Sequence, residues 1–329
     1  MTSRALAALR PIAVAALFAC GAIRAFADDA SPALPMIVAH RGGAADFPEN
    51  TLLAIAGALA HRADAIWLSV QLTHDGVPVL YRPAKLSANT DDADGAGAVA
   101  DTDFTALERL NAGWNFARTD ATGAKTFPYR AHPLRIPTLR EALRAIPAST
   151  PVILDMKALP AEPQAAAVAR VLSDENAWSR VLIYSTDAAY RSAFAAYPRA
   201  RLFESRDATR GRLAGVALAH ACIDPPQPGT WAAFEWKRQM ELTETFTLGE
   251  ARSPVTAQLW THEALACFRT HGDVHVMAIG IDDAADYRAA ACLGIDAVLA
   301  DSPRKLQAIK AGMTGEAGMA TPQCAADAR

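Results

Sequence analysis

The sequence predicts an α/β fold, a (β/α)8 TIM barrel with insertions in its loops. From Met36 onward, short apolar or β-branched runs alternate with alanine-rich segments of helical period, the pattern of successive βα units around a parallel sheet. Seven to nine strand candidates fall within the 329 residues, which suits a closed barrel better than an open sheet. A hydrophobic content of 51% is enough for one large core and one globular domain.

The strand candidates are short runs that are separated from one another by turn residues or by helical segments. Seven are clear, at residues 37–39, 65–70, 77–81, 152–155, 181–184, 274–279 and 297–300. Two weaker candidates lie at residues 201–203 and 216–218. The helix candidates are residues 51–60, 139–145, 163–172, 189–196, 261–270 and 284–293.

Two long segments interrupt this alternation, and loops of such length in a compact domain usually have a function of their own. Residues 84–135 are rich in Ala, Asp and Gly, and residues 224–253 carry several prolines. In the second segment Trp231 and Trp236 could line a lid over the mouth of the barrel. We expect them instead to form a small satellite core.

The first 27 residues are interpreted as a secretion signal, because Arg4 and Arg10 precede an apolar run that ends in small residues. An alternative interpretation is a lipoprotein processing box that leaves a lipidated Cys20 at the new terminus. Both predict an exported protein, periplasmic or secreted. Residues 28–35 then form a linker, residues 36–311 the barrel, and residues 312–329 a disordered tail.

Charge and cysteine content narrow the classes of partner. The chain has 32 basic and 35 acidic side chains, so it has no basic excess for nucleic acid. No later apolar segment is long enough to span a membrane. After signal removal, the cysteines could form one disulfide or remain as buried thiols, and a pair between neighbouring helices is one arrangement to consider, among Cys222, Cys267, Cys292 and Cys324.

A cluster of polar residues follows the first strand candidate. Residues 40–43 read His-Arg-Gly-Gly and end the strand in a glycine turn, and residues 48–51 read Pro-Glu-Asn-Thr and begin a helix with capping residues. The carboxyl ends of barrel strands form the mouth where such folds hold their chemistry. His40 and Arg41 are therefore predicted to lie at the mouth.

These motifs resemble the signature of the glycerophosphodiester phosphodiesterase family. Further matches follow in the family's order between residues 36 and 309. They read Val-Gln-Leu-Thr-His-Asp-Gly-Val-Pro-Val at 70–79, Ile-Pro-Thr-Leu at 136–139, Leu-Asp-Met-Lys at 154–157, Gly-Ile-Asp-Ala at 294–297 and Asp-Ser-Pro at 301–303. His-Arg-Gly alone would be weak, whereas the ordered set is specific.

The resemblance implies a phosphoric diester hydrolase that acts on glycerol-linked phosphodiesters in lipid metabolism. In that family two histidines act as acid and base, an arginine holds the phosphate, and a divalent ion lies between a Glu-x-Asp pair and the Glu of a Glu-x-Lys strand. On this chain His40 would be catalytic, Arg41 and Lys157 would bind phosphate, and Glu49 and Asn50 would support them.

The sequence departs from the family at the metal site and at the second histidine. Trp67 and Ser69 stand at the Glu-x-Asp positions, Asp155 replaces the remaining Glu, and Arg82 stands where the second histidine is expected. Arg82 is therefore a third candidate phosphate ligand. We expect Trp67 to fill the vacated space rather than to form a stacking platform. Asp155 could form a buried ion pair with the lysine two residues later.

One carboxylate is too few for a tight Ca²⁺ or Mg²⁺ site. We therefore expect no cofactor, unless Asp155 and Glu49 together reconstitute the site. Two functions follow from the sequence. The first is a phosphodiesterase with weak or altered activity, since a positioned acid or base is worth roughly 10²- to 10⁴-fold in rate. The second is an inactive barrel that binds a phosphate-bearing lipid head group or an envelope partner.

Overall fold

The structure is a computed structural model of the chain, which describes residues 33–92, 97–315 and 324. The predicted signal and Cys20 lie outside these residues. The strands are β1 (Met36–His40), β2 (Ala65–Leu72), β3 (Pro78–Leu80), β4 (Arg118–Thr119), β5 (Lys125–Thr126), β6 (Val152–Met156), β7 (Val181–Tyr184), β8 (Trp231–Glu235), β9 (Arg238–Phe246), β10 (Gly249–Ala257), β11 (His275–Ile279) and β12 (Ala297–Ala300).

Helices follow most of the parallel strands. They are α1 (Leu52–Ala60), α2 (Phe104–Leu107), α3 (Leu139–Ala145), α4 (Ala161–Asp174), α5 (Ala189–Phe194), α6 (Arg206–Ala219), α7 (His262–Phe268), α8 (Ala284–Leu293) and α9 (Pro303–Gly315). Several begin at a residue whose side chain accepts a backbone N–H of the first turn, including Thr51, Thr138 and Ser205. Such caps satisfy amide groups that the helix itself leaves without a partner.

Seven parallel strands run in the order β7-β6-β2-β1-β12-β11-β8. A short extended segment joins the two ends of this sheet, because Leu202 forms a parallel bridge with Ile183 of β7 and Phe203 forms one with Trp231 of β8. The weak strand candidate at residues 201–203 therefore marks the eighth position. The predicted eight-stranded barrel is confirmed, and β3 pairs antiparallel with β2 outside this ring.

Inward-facing side chains fill the barrel, and outward-facing ones pack against the helices. The Trp67 ring, 2% exposed, lies 4.8 Å from the Tyr184 ring and 6.2 Å from the Phe203 ring. Because large aromatic rings occupy the volume, the centre is a packed core rather than a pore. Trp67 thus fills space, as expected, and offers no exposed face for stacking.

Two predictions for the middle of the chain were wrong. Residues 216–218, predicted as a weak strand, lie in α6, where a capped helix of 14 residues outweighs the local strand preference of Val216. Trp231 belongs to barrel strand β8, and Trp236 is buried in the core between the barrel and its outer helices. They do not form a satellite core, and the second insertion is the hairpin β9–β10.

The first insertion, residues 84–135, builds a small core of its own. Leu86, Val99, Leu107 and Ala112 pack there against Tyr81, which follows β3. The insertion therefore covers one side of the mouth as a packed layer.

Among the described residues, two disulfides join outer elements of the fold. Cys222 is bonded to Cys267, and Cys292 is bonded to Cys324. Helix α9 continues to Gly315, beyond the predicted end of the barrel at residue 311. Within the described residues, we find no helix that combines the length and the apolarity needed to cross a bilayer.

Candidate functional site

Polar side chains close the upper end of the barrel interior. Side chains alternate between the two faces of a strand. Because Val38, Ile153 and Ala233 point into the barrel, the residues two positions later also point inward and lie above the apolar layer that these three form. Those residues are His40, Asp155 and Glu235. Asp301 follows inward-facing Leu299 by the same spacing. Four ionisable groups from separate strands therefore share one rim.

The turn after β1 holds an arginine in an unusual backbone conformation. Arg41 has a φ of 53°, and Gly42 and Gly43 follow with φ values of 79° and 100°. The backbone N–H of Asn50 donates to the Arg41 carbonyl at 2.8 Å and helps to hold this turn. A left-handed non-glycine residue costs about 1–3 kcal/mol and is typically retained at functional positions.

A carboxylate and an amide position the Arg41 side chain. Arg41 Nη1 donates to Glu49 Oε2 at 2.5 Å, and Asn89 Nδ2 donates to the other carboxylate oxygen at 3.0 Å. Both Glu49 oxygens are therefore occupied. Glu49 and Asn89 also line a cleft of about 290 Å³ between the turn and the first insertion. The supporting role of Glu49 stays a prediction, to which its contact with Arg41 adds geometry. Asn89, deep in an insertion, had no feature in the sequence that pointed to the site.

His40 is oriented by Asp301, which stood out in the sequence only as part of the Asp-Ser-Pro motif. His40 Nδ1 lies 2.6 Å from Asp301 Oδ1. The hydrogen bond from His40, helped by the charges of His40 and Arg41, lowers the pKa of Asp301. Beside an ionised carboxylate Nδ1 carries the shared proton, so Nε2 is the acceptor nitrogen whenever the ring is neutral.

Asp155 and Lys157 form an ion pair at the end of β6. Lys157 Nζ lies 2.9 Å from Asp155 Oδ2, and the Trp67 indole N–H donates to the same oxygen at 3.4 Å. Burial raises the pKa of Asp155, and Lys157 opposes that effect. Asp155 Oδ1 is buried without a hydrogen-bond partner among the described residues. The ion pair that the sequence suggested is thus present.

Asn50 and Ser69 connect the turn to β2. The backbone N–H of Ser69 donates to Asn50 Oδ1 at 2.9 Å, and Ser69 pairs with Asp155 across the sheet. Within the described residues, Asn50 Nδ2 and Ser69 Oγ are buried without partners. A buried polar atom without a hydrogen-bond partner costs free energy. A polar ligand at this corner of the mouth could therefore form hydrogen bonds with these two atoms.

Arg82 does not join the other two cations through any described contact. Its backbone follows Tyr81, whose N–H donates to the Ser69 carbonyl, so the chain passes beside the mouth. The Arg82 side chain is exposed. The structure therefore places Arg41 and Lys157 in the mouth with fixed carboxylate partners and leaves Arg82 at its edge.

A second charged cluster occupies the opposite side of the mouth. Arg206 pairs with Glu235 and donates to the Tyr184 hydroxyl at 3.3 Å, and Arg238 Nη1 lies 3.1 Å from Glu235 Oε1. Sequence reasoning missed this cluster because β8 was placed in a loop. A glutamate at the end of a recognised barrel strand would have been the signal.

The residues present do not fit a divalent ion at the family's position. Asp155 is held by an ammonium group, and both oxygens of Glu49 have partners within the turn and the insertion. Among residues 33–92, 97–315 and 324, no group of three or more His, Cys, Asp or Glu side chains could hold a metal ion. Hard divalent ions require several oxygen ligands, so a joint site of Asp155 and Glu49 is not formed.

Comparison with known proteins gives a consistent family. The sequence model of the Glycerophosphoryl diester phosphodiesterase family matches residues 40–305. The uncharacterized protein Rv2277c of Mycobacterium tuberculosis is 46% identical over 273 residues, which cover 83% of this chain and 89% of that protein. Rat glycerophosphodiester phosphodiesterase 1 is 40% identical over 106 residues, covering 32% of this chain and 28% of the relative.

Solved structures have the same fold. The crystal structure of the glycerophosphoryl diester phosphodiesterase domain of Rv2277c has a TM-score of 0.76 and 44% identity, covering 84% of this chain and 99% of that chain. An Oleispira antarctica phosphodiesterase, solved with the product sn-glycerol-3-phosphate, has a TM-score of 0.59 and 22% identity, with coverage of 84% and 96%. At that identity the second likeness concerns the fold alone.

Proposed function

Because the chain belongs to the glycerophosphoryl diester phosphodiesterase family, we propose that it hydrolyses glycerol-linked phosphodiesters with His40 as its acid–base residue and without a divalent ion. The observation that carries this proposal is the His40–Asp301 pair at the barrel mouth. A carboxylate that orients an imidazole and stabilises its protonated form assists proton transfer, a role that a site which only binds phosphate does not require.

The phosphodiester would lie between Arg41 and Lys157. Arg41 can offer two parallel N–H groups to phosphate oxygens, and Lys157 contributes a point charge from the neighbouring part of the mouth. Lys157 already neutralises Asp155, so that carboxylate does not need a divalent ion to balance its charge. The pair of basic residues then stabilises the charge that develops on phosphorus oxygens during displacement.

His40 would act through Nε2. The glycerol hydroxyl next to the phosphate attacks phosphorus and gives its proton to His40 Nε2. The bond to the head-group alcohol breaks and the leaving oxygen takes a proton from water, which gives a cyclic phosphate and a hydroxide. The hydroxide then attacks phosphorus and opens the ring, and the glycerol oxygen that leaves takes the proton back from His40, which completes the hydrolysis to glycerol phosphate. Asp301 stabilises the imidazolium that forms. Because Arg82 replaces the second histidine and lies exposed, we expect turnover slower by roughly 10²- to 10⁴-fold than in a site with both groups.

A release assay tests the catalytic assignment. The full chain is incubated with glycerophosphocholine and with glycerophosphoethanolamine, in EDTA and in Ca²⁺, and glycerol phosphate release is measured. We expect slow release in both buffers and its loss in His40→Ala. His74→Ala is the matched control, since His74 also pairs with an aspartate but lies 71% exposed on the surface.

Two outcomes would contradict parts of this proposal. Release that survives His40→Ala would show that His40 is not the acid–base residue. Release that EDTA abolishes would show that the reaction needs a divalent ion.

The alternative function is an inactive barrel that holds a phosphate-bearing lipid head group. It predicts no release, but binding of glycerophosphocholine by calorimetry that is lost in Arg41→Ala and kept in Arg170→Ala, a variant of an exposed arginine on α4.

We also propose that the protein is exported and serves lipid metabolism outside the cytoplasm. The two disulfides support this, because such bonds persist mainly in oxidising compartments. The intact mass of protein recovered from cells that produce the full chain tests the proposal. Loss of residues 1–27 indicates the signal, a lipidated Cys20 indicates the lipoprotein, and an unprocessed chain contradicts both.

A further inference from the structure

The hairpin formed by β9 and β10 stands clear of the barrel. It begins three residues after β8 ends at the mouth, its strands have nine residues each, and almost every side chain in it is exposed. A two-stranded hairpin is at best marginally stable in water without a third strand or a surface to pack on. The structure thus contains an element that lacks a packing partner within the described residues.

The two faces of this hairpin differ in composition. On one face Arg252 pairs with Glu241 and Glu250, and Gln239 donates to Thr256 at 2.8 Å. The other face and the turn expose large apolar side chains. They are Met240 (44% exposed), Leu242 (52%), Phe246 (59%), Leu248 (99%) and Val255 (39%). The side chains of the polar face already bond to one another. The exposed apolar face is therefore the one expected to bind a partner.

We propose that a second copy of this chain covers this apolar face, so that two hairpins pack against each other about a two-fold axis. Large residues lie along β9, and the cross-strand partners of Leu242, Glu244 and Phe246 on β10 are Ser253, Ala251 and Gly249. A ridge therefore runs beside a trough of small side chains. When two copies pack face to face with antiparallel strands, the two-fold axis runs across the strands and sets the ridge of one copy against the ridge of the other, so both copies contribute the same surface.

The charges of the hairpin favour this occupant over a lipid surface. Arg238 at the base and Glu244 near the tip lie on the apolar face, because both are an even number of residues from Leu242. When two hairpins pack antiparallel, the partner's Glu244 approaches Arg238. A bilayer would instead bury Glu244 without a partner, which is costly, and the hairpin carries no basic excess to attract anionic lipid.

This pairing brings the partner's tip to the mouth of the barrel. Arg238 belongs to the charged cluster with Glu235, and the tip of an antiparallel partner, residues 246–249, reaches the base of the hairpin. The proposal is independent of the catalytic assignment, since it concerns the surface beside the mouth and not His40.

Sedimentation velocity of the full chain over a range of concentrations tests the interface. We expect a dimer that dissociates on dilution. Leu242→Glu places a charge in the covered ridge and should weaken dimerisation by roughly 100-fold or more. Thr243→Glu adds the same charge at the next residue, on the opposite face, and should leave the dissociation constant within about threefold.

A third variant tests the antiparallel packing. Glu244→Arg sets a like charge beside the partner's Arg238, so it should weaken the dimer if the proposed packing is correct. A dimer as tight as that of the wild type in this variant would overturn that packing. Circular dichroism and thermal melting verify that each variant is folded.

The proposal as a whole fails if the wild-type chain is a monomer at every concentration. It also fails if Leu242→Glu dimerises as well as the wild type. A vesicle-binding experiment tests the remaining alternative, in which the apolar face binds a lipid surface. Monomeric wild type that sediments with phosphatidylcholine vesicles, while Leu242→Glu stays in solution, would show that the face meets a lipid surface instead.

Discussion

Replacing Lys157 with methionine should destabilise the fold through the carboxylate that it leaves behind. The Asp155 side chain is 7% exposed, and its Oδ1 already lacks a partner among the described residues. Removal of one partner from a buried ion pair costs about 3–5 kcal/mol. Because the Lys157 side chain is 22% exposed, we expect the lower end, about 3 kcal/mol, or a melting temperature lower by about 6 to 10 °C.

The loss should depend on pH in a defined direction. Burial raises the pKa of Asp155 above its ordinary value of 3.8, and Lys157 lowers it, so removal of Lys157 raises it further. A folded state with a raised carboxyl pKa binds its proton more tightly than the unfolded chain does. Its stability is therefore lost as pH rises above the unfolded pKa and through the folded one. The deficit of Lys157→Met should be smaller near pH 4 than at pH 7.

Urea unfolding at both pH values, without reductant, measures this difference. Lys237→Met is the matched control, because Lys237 also pairs with an aspartate, at 2.7 Å, but on the exposed surface. We expect little change in that variant. The double variant Asp155→Asn/Lys157→Met should recover much of the loss. A deficit that is equal at the two pH values, or absent from Lys157→Met, would refute the view that the ammonium group holds this buried charge.

Three further perturbations have defined outcomes. Gly42→Ala should cost about 2 kcal/mol or more in urea unfolding, because φ is 79° and a Cβ would lie 2.9 Å from the next helix, and equal stability would contradict the turn geometry. Asp301→Asn should reduce the loss of stability on acidification, since the lowered pKa of Asp301 contributes stability above the unfolded value of 3.8 that is lost as pH falls through the folded one; unfolding titrations that match the wild type would refute this. Removing the Cys222–Cys267 bond, which closes 45 residues, should cost about 4 kcal/mol, and an unchanged calorimetric melting temperature would refute it.

The site could be predicted where it follows directly from strand ends. His40, Arg41, Asp155 and Lys157 each lie within two residues of the end of a parallel strand, and in a closed barrel all such ends meet at one mouth. Local patterning therefore sufficed to gather them. Glu49 and Asn50 follow for a related reason, since the turn and the cap that contain them are local features of the chain.

Other parts of the site depended on which strands the fold contains. β8 has only five residues, alternates weakly and lies between a proline-bearing loop and a polar hairpin, so its pattern resembled an insertion. Once it is placed in the barrel, Glu235 faces the mouth and meets Arg206 and Arg238. The exposed position of Arg82 has the same origin, since the path of the chain after β3 decides where that side chain points.

Sequence alone determined the fold class and the family, because these follow from residue types in order along the chain, and it predicted the loss of two metal-ligand carboxylates at Trp67 and Ser69. Only the tertiary structure decided that Asp301 holds His40, that Asn89 completes the support of Arg41, and that Cys222 bonds to Cys267. Such contacts join residues far apart in the chain. Their formation depends on packing, which no local pattern encodes.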